Sequence, residues 1–405
     1  MKSNRMSSGI GLCAAILVVS GSAFAKVSEP SFMAPLERLK KLGVPVLASD
    51  STLGLGVAHL SESQRETLSK MAHDRNECGG YRLLLSDETI DSTLFSTLRA
   101  QNTLNKKVQG TVVSLQKNAL ISTSVEKVSA DNLFQFVKWY SSFQTRYERD
   151  RVQGMTAVNA LKERLEQMTA SVRSRVSVEF VTHEHTPQNS IRVSFKGAER
   201  PQEIVVAGGH LDSVNWEVRG GRAPGADDNG SGTSNLVELV RILVESPAPA
   251  RTVDVFFYAA EETGLVGSSE IARTYNVSGK DVIGVMQLDM TLHPGAGEGV
   301  IGFTRDYTSA WLNSYLEDLN RLYVGATIID DRCDYACSDH ASWHSRGFPA
   351  TFPFEATMNT SNPEIHTERD AINNTSSFKH SALFSKLAVA FTLDLANSTL
   401  RAPSK

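Results

Sequence analysis

From about residue 176 onward, short apolar runs alternate with helical patterns, and this alternation narrows the possible folds more than any other feature. The runs 176–181 and 191–195 alternate apolar with polar residues, as a hairpin or a pair of edge strands does. By contrast 204–207, 253–258 and 282–288 are mostly apolar runs, the pattern of strands buried on both faces. Between and after them lie helical stretches marked by Leu236, Leu239, Val240 and Leu243, by 268–275, by Leu312, Tyr315, Leu316 and Leu319, and by 378–395. Strand-then-helix repetition predicts an α/β architecture: a mixed, mostly parallel central sheet with helices on both faces. Upstream, 61–72 reads as a helix and 81–85 as a strand. The stretch 132–168 reads as helical and is divided near Gly154.

Charged residues gather where these strands end. His210 and Asp212 follow the first buried strand, Glu261 and Glu262 the second, and Asp289 the third. The carboxyl ends of parallel strands open onto a shared crevice, so these groups are expected to converge. Asp227 and Asp228 lie in a Gly/Pro-rich loop just before a helix that Asn229 and Ser231 can cap, and His366 lies in a loop before the last helix. Crowded carboxylates repel one another unless a cation neutralises them. Imidazole and carboxylate without thiolate suit zinc with an open position. Two metals sharing a bridging carboxylate need about five ligands. His210, Asp228, Glu262, Asp289 and His366 supply that number. Each of these alone has a plainer reading: a loop histidine is commonly a surface or packing residue, and paired glutamates favour a helix start. Their order along the chain gives them weight.

Composition sets the remaining bounds. With 405 residues, 41% hydrophobic and 21% charged, the chain can bury a full core. A formal net charge of −4 offers no footprint for nucleic acid. Lys2 and Arg5, the apolar stretch 10–19 and Ala23-Phe24-Ala25 form an export signal over 1–25, and no later apolar run is long enough to span a membrane. The chain is therefore expected to be secreted. In an oxidising compartment Cys333 and Cys337 can pair across three intervening residues. That reading is preferred to a pair of zinc thiolates, which would want further thiols or histidines at matching spacing. Cys13 leaves with the signal, and Cys78 stays unpaired in a segment expected to be removed.

The ordered motifs GHLDS (209–213), PGADDNGSG (224–232), YAAEETGL (258–265), QLDM (287–290) and IHT (365–367) closely resemble those of the secreted bacterial leucyl aminopeptidases with a co-catalytic zinc pair. That family is grouped with glutamate carboxypeptidase II and glutaminyl cyclase and has the zinc-exopeptidase fold. The resemblance spans about 130–397, and CDYACSDH (333–340) resembles the bacterial branch in particular. It implies that Asp228 bridges two zinc ions, with His210 and Asp289 completing one site and Glu262 and His366 the other. Asp212 would orient the His210 ring. Glu261 would be the general base, taking a proton from the attacking water and passing it to the departing amine. Tyr335 would hydrogen-bond the developing oxyanion or position the substrate carbonyl.

The positions that match the family's side-chain pocket are Met290, Phe303, Phe352, Phe354, Met358 and Ile365. All are apolar, which implies Leu-type residues at the cleaved end. Peptides with a free N-terminus are the expected partners, and a monomer is the expected state. The resemblance leaves 26–107 as a pro-segment, with a catalytic domain over 108–405; a stable accessory domain is the rival reading of the former. His340 and His344 read as structural residues beside the cysteine loop, and His183 and His185 as exposed strand residues. Two other readings share the fold: a single-zinc glutaminyl cyclase or carboxypeptidase, and a catalytically dead binding protein such as the transferrin receptor. The last loses metal ligands, whereas every candidate is present here.

Overall fold

The computed structural model describes residues 30–402 apart from 76, 78, 91, 92 and 100–114. The predicted export signal, Cys13, Cys78 and the boundary near 107 lie outside those residues. The N-terminal segment forms a four-stranded antiparallel sheet ordered β2-β3-β1-β4, from β1 (Ser31–Pro35), β2 (Ala48–Asp50), β3 (Leu55–His59) and β4 (Arg82–Leu84). Helices α1 (Leu36–Leu42) and α2 (Glu62–His73) and the helical residues 93–99 (α3) accompany it. Ser61 caps α2 in a reciprocal box with Gln64, so two otherwise unpaired backbone donors are satisfied at its start.

The main body begins with α4 (Ala119–Glu126), α5 (Ala130–Tyr140) and α6 (Gln153–Met168). Its sheet comprises β5 (Val176–Val181), β6 (Ser190–Phe195), β7 (Arg200–His210), β8 (Arg251–Tyr258), β9 (Asp281–Gln287) and the two-residue β12 (Ala350–Thr351). The order is β12-β9-β7-β8-β6-β5, parallel from β12 to β8 and antiparallel over β6 and β5. This is the mixed, mostly parallel sheet that the alternation predicts, with the hairpin at its edge. Both faces are covered. Val253, Val255 and Phe257 of β8 pack into one core with α7 (Gly230–Glu245) and α11 (Phe378–Asn397). Phe256 and Tyr258 point the other way, into a second core with α8 (Val266–Val277) and Trp343 of α10 (His340–Ser345).

Two features depart from the sequence expectation. A second sheet, ordered β11-β10-β13, forms from β10 (Val300–Thr304), β11 (Thr327–Asp331) and β13 (Pro353–Phe354), beside α9 (Ala310–Tyr323). Its strands are short, and β11 is half exposed, so they carry little periodic signal. The predicted helix over 132–168 is interrupted for longer than a break at Gly154 implies, because α5 ends at Tyr140 and α6 starts at Gln153. The rings of Trp139, Tyr140 and Phe143 pack on one another across the helix end, and their spacing imitates helical periodicity. A Cβ at Gly154 would lie 2.3 Å from the Tyr147 carbonyl oxygen, so the glycine lets the intervening loop fold back onto α6.

That loop carries Arg146, which is fully buried. Its Nε donates to the Leu211 carbonyl at 2.9 Å, its Nη2 to Gly225 at 2.9 Å, and its Nη1 to Pro224. The guanidinium also lies 4.4 Å from the centre of the Tyr140 ring. One side chain thus ties the loop after β7 to the loop before α7. Replacing Arg146 with Met should strand those carbonyls and cost roughly 3 kcal/mol of unfolding free energy, measured by urea denaturation of chelator-treated protein. A loss below about 1 kcal/mol would mean that the two loops hold their course without it.

Candidate metal centre

Glycines set how closely the strand ends approach. A Cβ at Gly209 would meet the Leu288 carbonyl at 2.4 Å, and one at Gly232 would meet the same oxygen at 2.3 Å. Their absence lets β7, the start of α7 and the end of β9 pack backbone to backbone, and His210, Asp228 and Asp289 converge. Asn229 caps α7 through Gly232 N–H and donates its own amide to the Leu288 carbonyl at 3.0 Å. Non-glycine residues in the left-handed region cluster here: Ala260 just before Glu261, Met290 just after Asp289, and His366 itself. Strained backbone of this kind persists where surrounding structure fixes it, commonly at functional sites.

Two groups of potential ligands result, His210–Asp228–Asp289 and Asp228–Glu262–His366, each with its atoms within 4.8 Å of one another. His210 Nε2 lies 3.0 Å from Asp228 Oδ1 and 3.2 Å from Asp289 Oδ1. His366 Nε2 lies 3.0 Å from Asp228 Oδ2 and 3.1 Å from Glu262 Oε2. Asp228 therefore turns one oxygen toward each group. All five side chains are at most 3% exposed. His366 Nε2, Asp228 Oδ2 and both Glu262 oxygens are nevertheless buried without a hydrogen-bond partner. They lie close together without directing a proton at one another, as ligands of a common ion do. Two atoms bound tetrahedrally at about 2.0–2.1 Å stand about 3.3 Å apart, close to the separations seen. The donor set and its unpaired atoms fit zinc.

The electrostatics make the same point. Burial raises the Glu262 carboxyl to about 7 against the pull of His366. Burial also pushes Glu261 well above the usual range, reinforced by Asp339, Glu262 and Asp289 and opposed by His210. For Asp228 burial acts in that direction too, but the adjoining His210 and His366 outweigh it and hold the carboxyl below its ordinary value. Burial would lower His366, yet Glu262 and Asp228 lift its imidazole to about 10. Protonated imidazoles thus stand as counter-charge within a cluster of carboxylates, a role that a metal cation fills better.

Asp212 stands 3.4 Å from His210 Nδ1, which makes no well-directed hydrogen bond. Its oxygens instead accept the backbone N–H groups of Glu261 at 3.1 Å and Glu262 at 3.3 Å. Asp212 therefore braces the glutamate turn as well as facing the histidine. Other braces escaped the sequence reading. Asp370 accepts the N–H groups of Asp227 and Asp228, both at 3.0 Å. Ser338 Oγ donates to Asp289 Oδ2 at 2.6 Å, and Thr233 Oγ1 to the His210 carbonyl at 2.9 Å. Ser338 lies within the quoted CDYACSDH stretch, so a signal for it was present. Asp370, Thr233 and Arg146 had none.

Cys333 and Cys337 form a disulfide. Met290, Tyr335, Cys337, Phe352, Phe354 and Ile365 form one apolar cluster, with Met358 and Cys333 packed against it. Met290 and Ile365 are chain neighbours of Asp289 and His366, so the cluster adjoins both ligand groups. Phe303 packs into the main core instead, because its place on β10 faces it inward. His340 and His344 are buried beside the cysteine loop. His183 departs from expectation. Its ring is buried, with Nε2 2.7 Å from Ser190 Oγ and Nδ1 3.2 Å from Glu270.

The N-terminal segment lies over this centre. A Cβ at Gly79 would be 3.6 Å from Glu261 Oε1. The His73 ring is 5.8 Å from that of His366, and Arg38 lies 5.7 Å from the Tyr335 ring. Leu83 N–H donates to the Gly264 carbonyl at 2.9 Å. Ala260 and Val266, which flank the glutamate turn, belong to the segment's own hydrophobic cluster.

Residues 189–390 match Peptidase family M28. A probable leucine aminopeptidase of Trichophyton verrucosum is 35% identical over 292 residues, covering 71% of this chain and 79% of the relative. Leucine aminopeptidase 1 of Arthroderma otae is 35% identical over 292 residues, covering 69% and 76%. Among solved structures, the Legionella pneumophila LapA aminopeptidase has a TM-score of 0.77 at 28% identity, covering 92% of this chain and 99% of that one. LapB of the same organism has a TM-score of 0.76 at 26% identity, covering 91% and 99%. Both spans are too long to leave out the N-terminal sheet. By sequence over most of its length, and by fold, this chain belongs to peptidase family M28.

Proposed function

We propose that this chain is a secreted, leucine-type aminopeptidase that holds two zinc ions and is kept latent by its N-terminal segment. The observation that carries the reading is the position of Asp228, with one oxygen 3.0 Å from His210 and the other 3.0 Å from His366. Asp228 would bridge the ions, His210 and Asp289 would complete one site, and Glu262 and His366 the other. When bound, zinc supplies Lewis-acid polarisation of the scissile carbonyl and lowers the pKa of water toward about 7. Glu261 takes a proton from the attacking water and passes it to the departing amine, and burial makes its carboxylate a stronger base than a surface one. Asp212 holds Glu261 and Glu262 in place through their backbone N–H groups. Tyr335, a buried member of the apolar cluster, is assigned to the carbonyl oxygen as charge builds on it.

The names of the relatives and the apolar cluster of Met290, Phe352, Phe354 and Ile365 support a leucine-type first residue. A disulfide at Cys333 and Cys337 agrees with export. Latency is supported by the position of Gly79 over Glu261. Among the described residues no helix is long and apolar enough to cross a membrane.

Glu261→Gln should keep its zinc, by elemental analysis, and lose at least about 100-fold in turnover of leucine amide, because only the proton carrier is removed. Near-normal turnover would end that assignment. Asp228→Ala should instead lose zinc from both positions, and retention of two ions per chain would show that it is no bridge. Leucyl peptides should be cut and their N-acetylated forms left whole; cleavage of the acetylated peptide would point to another member of the fold class. Limited proteolysis that severs the N-terminal segment should raise the rate on leucine amide severalfold, and an unchanged rate would mean that the segment is no cover.

A further inference from the structure

A cavity of about 600 Å³ lies where α2 rests on the main body, lined by Glu62 and Glu66 on one side and by Tyr147, Arg149, Trp216 and Arg219 on the other. Its inner end adjoins the metal centre. The Trp216 N–H donates to the His366 carbonyl at 2.9 Å, and the His73 ring, at the C-terminal end of α2, lies beside the His366 ring. Helix α2 thus runs outward from the centre along the groove. At about 1.5 Å per residue, Glu66 stands roughly 10 Å and Glu62 roughly 16 Å along the axis from His73. An extended peptide covers those distances in about three to five residues.

The charges across the groove are complementary. Arg149 Nη1 lies 2.7 Å from Glu62 and 3.3 Å from Glu66, and Arg219 Nη2 lies 3.7 Å from Glu66. Within the main body, Arg149 Nε is held by Glu148 at 2.8 Å, and its guanidinium lies 5.9 Å from the Tyr147 ring. Tyr147 in turn meets Trp216 edge to face at 6.1 Å. One edge of the guanidinium is therefore anchored, while both carboxylates on its Nη1 belong to the covering segment. A pre-set guanidinium of this kind is a receptor for carboxylate.

We infer that in the uncovered enzyme this groove receives the part of the peptide beyond the scissile bond, and that Arg149 and Arg219 select a carboxylate about three to five residues along. Glu62 and Glu66 hold that place in the latent chain. The inference rests on the aminopeptidase reading above and on displacement of the segment. The carboxylate can be a side chain or the peptide's own C-terminus, and the substrates separate the two.

The test uses the full-length chain opened by limited proteolysis, with all fragments kept in the assay. Leucyl pentapeptide amides carrying Glu or Gln at the fourth position are compared, together with a leucyl pentaalanine-type peptide bearing a free or an amidated C-terminus. The Glu peptide should exceed the Gln peptide about fivefold in kcat/KM, chiefly through KM, and the gap should close in 1 M salt. A preference confined to the free C-terminus would assign the site to the terminal carboxylate. Arg149→Gln should bring the Glu-to-Gln ratio near one. Arg219→Glu, at a side chain 88% exposed where folding is not at stake, should favour Lys at the same position, a gain that structural damage cannot produce. If leucine amide is hydrolysed but charge along the peptide makes no difference, the groove proposal falls and the aminopeptidase reading stands. If leucine amide is not hydrolysed, both fall together.

Discussion

Carboxylates buried within a few ångströms of one another repel, lose their hydration and separate unless something compels them to stay. Several unusual features of the described residues serve that compulsion. Gly209 and Gly232 allow backbones to touch where side chains would push them apart. Asp370 grips the N–H groups of the Asp227–Asp228 turn, Asp212 grips those of Glu261 and Glu262, and Ser338 holds Asp289. The positive end of α7 lies just after Asp228 and favours negative charge there. What these devices leave unmatched is the charge itself, which the donor set is suited to balance with divalent metal.

The N-terminal sheet is joined to the glutamate turn as part of one packing unit. Ala260 and Val266 contribute to the core of the segment, while Leu265 packs into a further cluster with Met33, Leu55 and Val57. The residues that flank Glu261 and Glu262 in the chain are thus packed into the clusters of the N-terminal segment. Around this apolar contact the two parts meet through opposite charges, with Glu62 and Glu66 against Arg149 and Asp87 against Arg273 and Arg346. Apolar burial gives such an interface its strength, and the half-buried ion pairs give it orientation.

Much of the architecture was legible because period and position coincide. Mostly apolar runs became β7, β8 and β9, and the charged residues at their ends are neighbours in the fold. Less could be read where one pattern has two causes. The aromatic spacing around Trp139, Tyr140 and Phe143 suits a helix or a ring cluster, and the chain uses it for the cluster, leaving a loop where helix was expected. Phe303 is apolar like its neighbours in the pocket list, but which side of a short strand faces a pocket depends on the sheet it joins, and β10 turns it to the core. Braces such as Asp370 and Arg146 act on backbone atoms far away in sequence, and no local pattern announces them.

The Arg146 guanidinium holds its two loops by main-chain oxygens, those of Leu211, Pro224 and Gly225, while the residue's own N–H donates to Ser213 Oγ at 3.2 Å. The guanidinium itself reads the course of the chain through carbonyl oxygens. Outward-facing side chains on those loops can therefore be exchanged without loosening the guanidinium's hold, provided that the carbonyls still point inward and that Ser213 and Gly225, which also shape the join, are kept. The fold thereby separates two tasks: keeping the candidate ligand groups in register, and varying the surface around them.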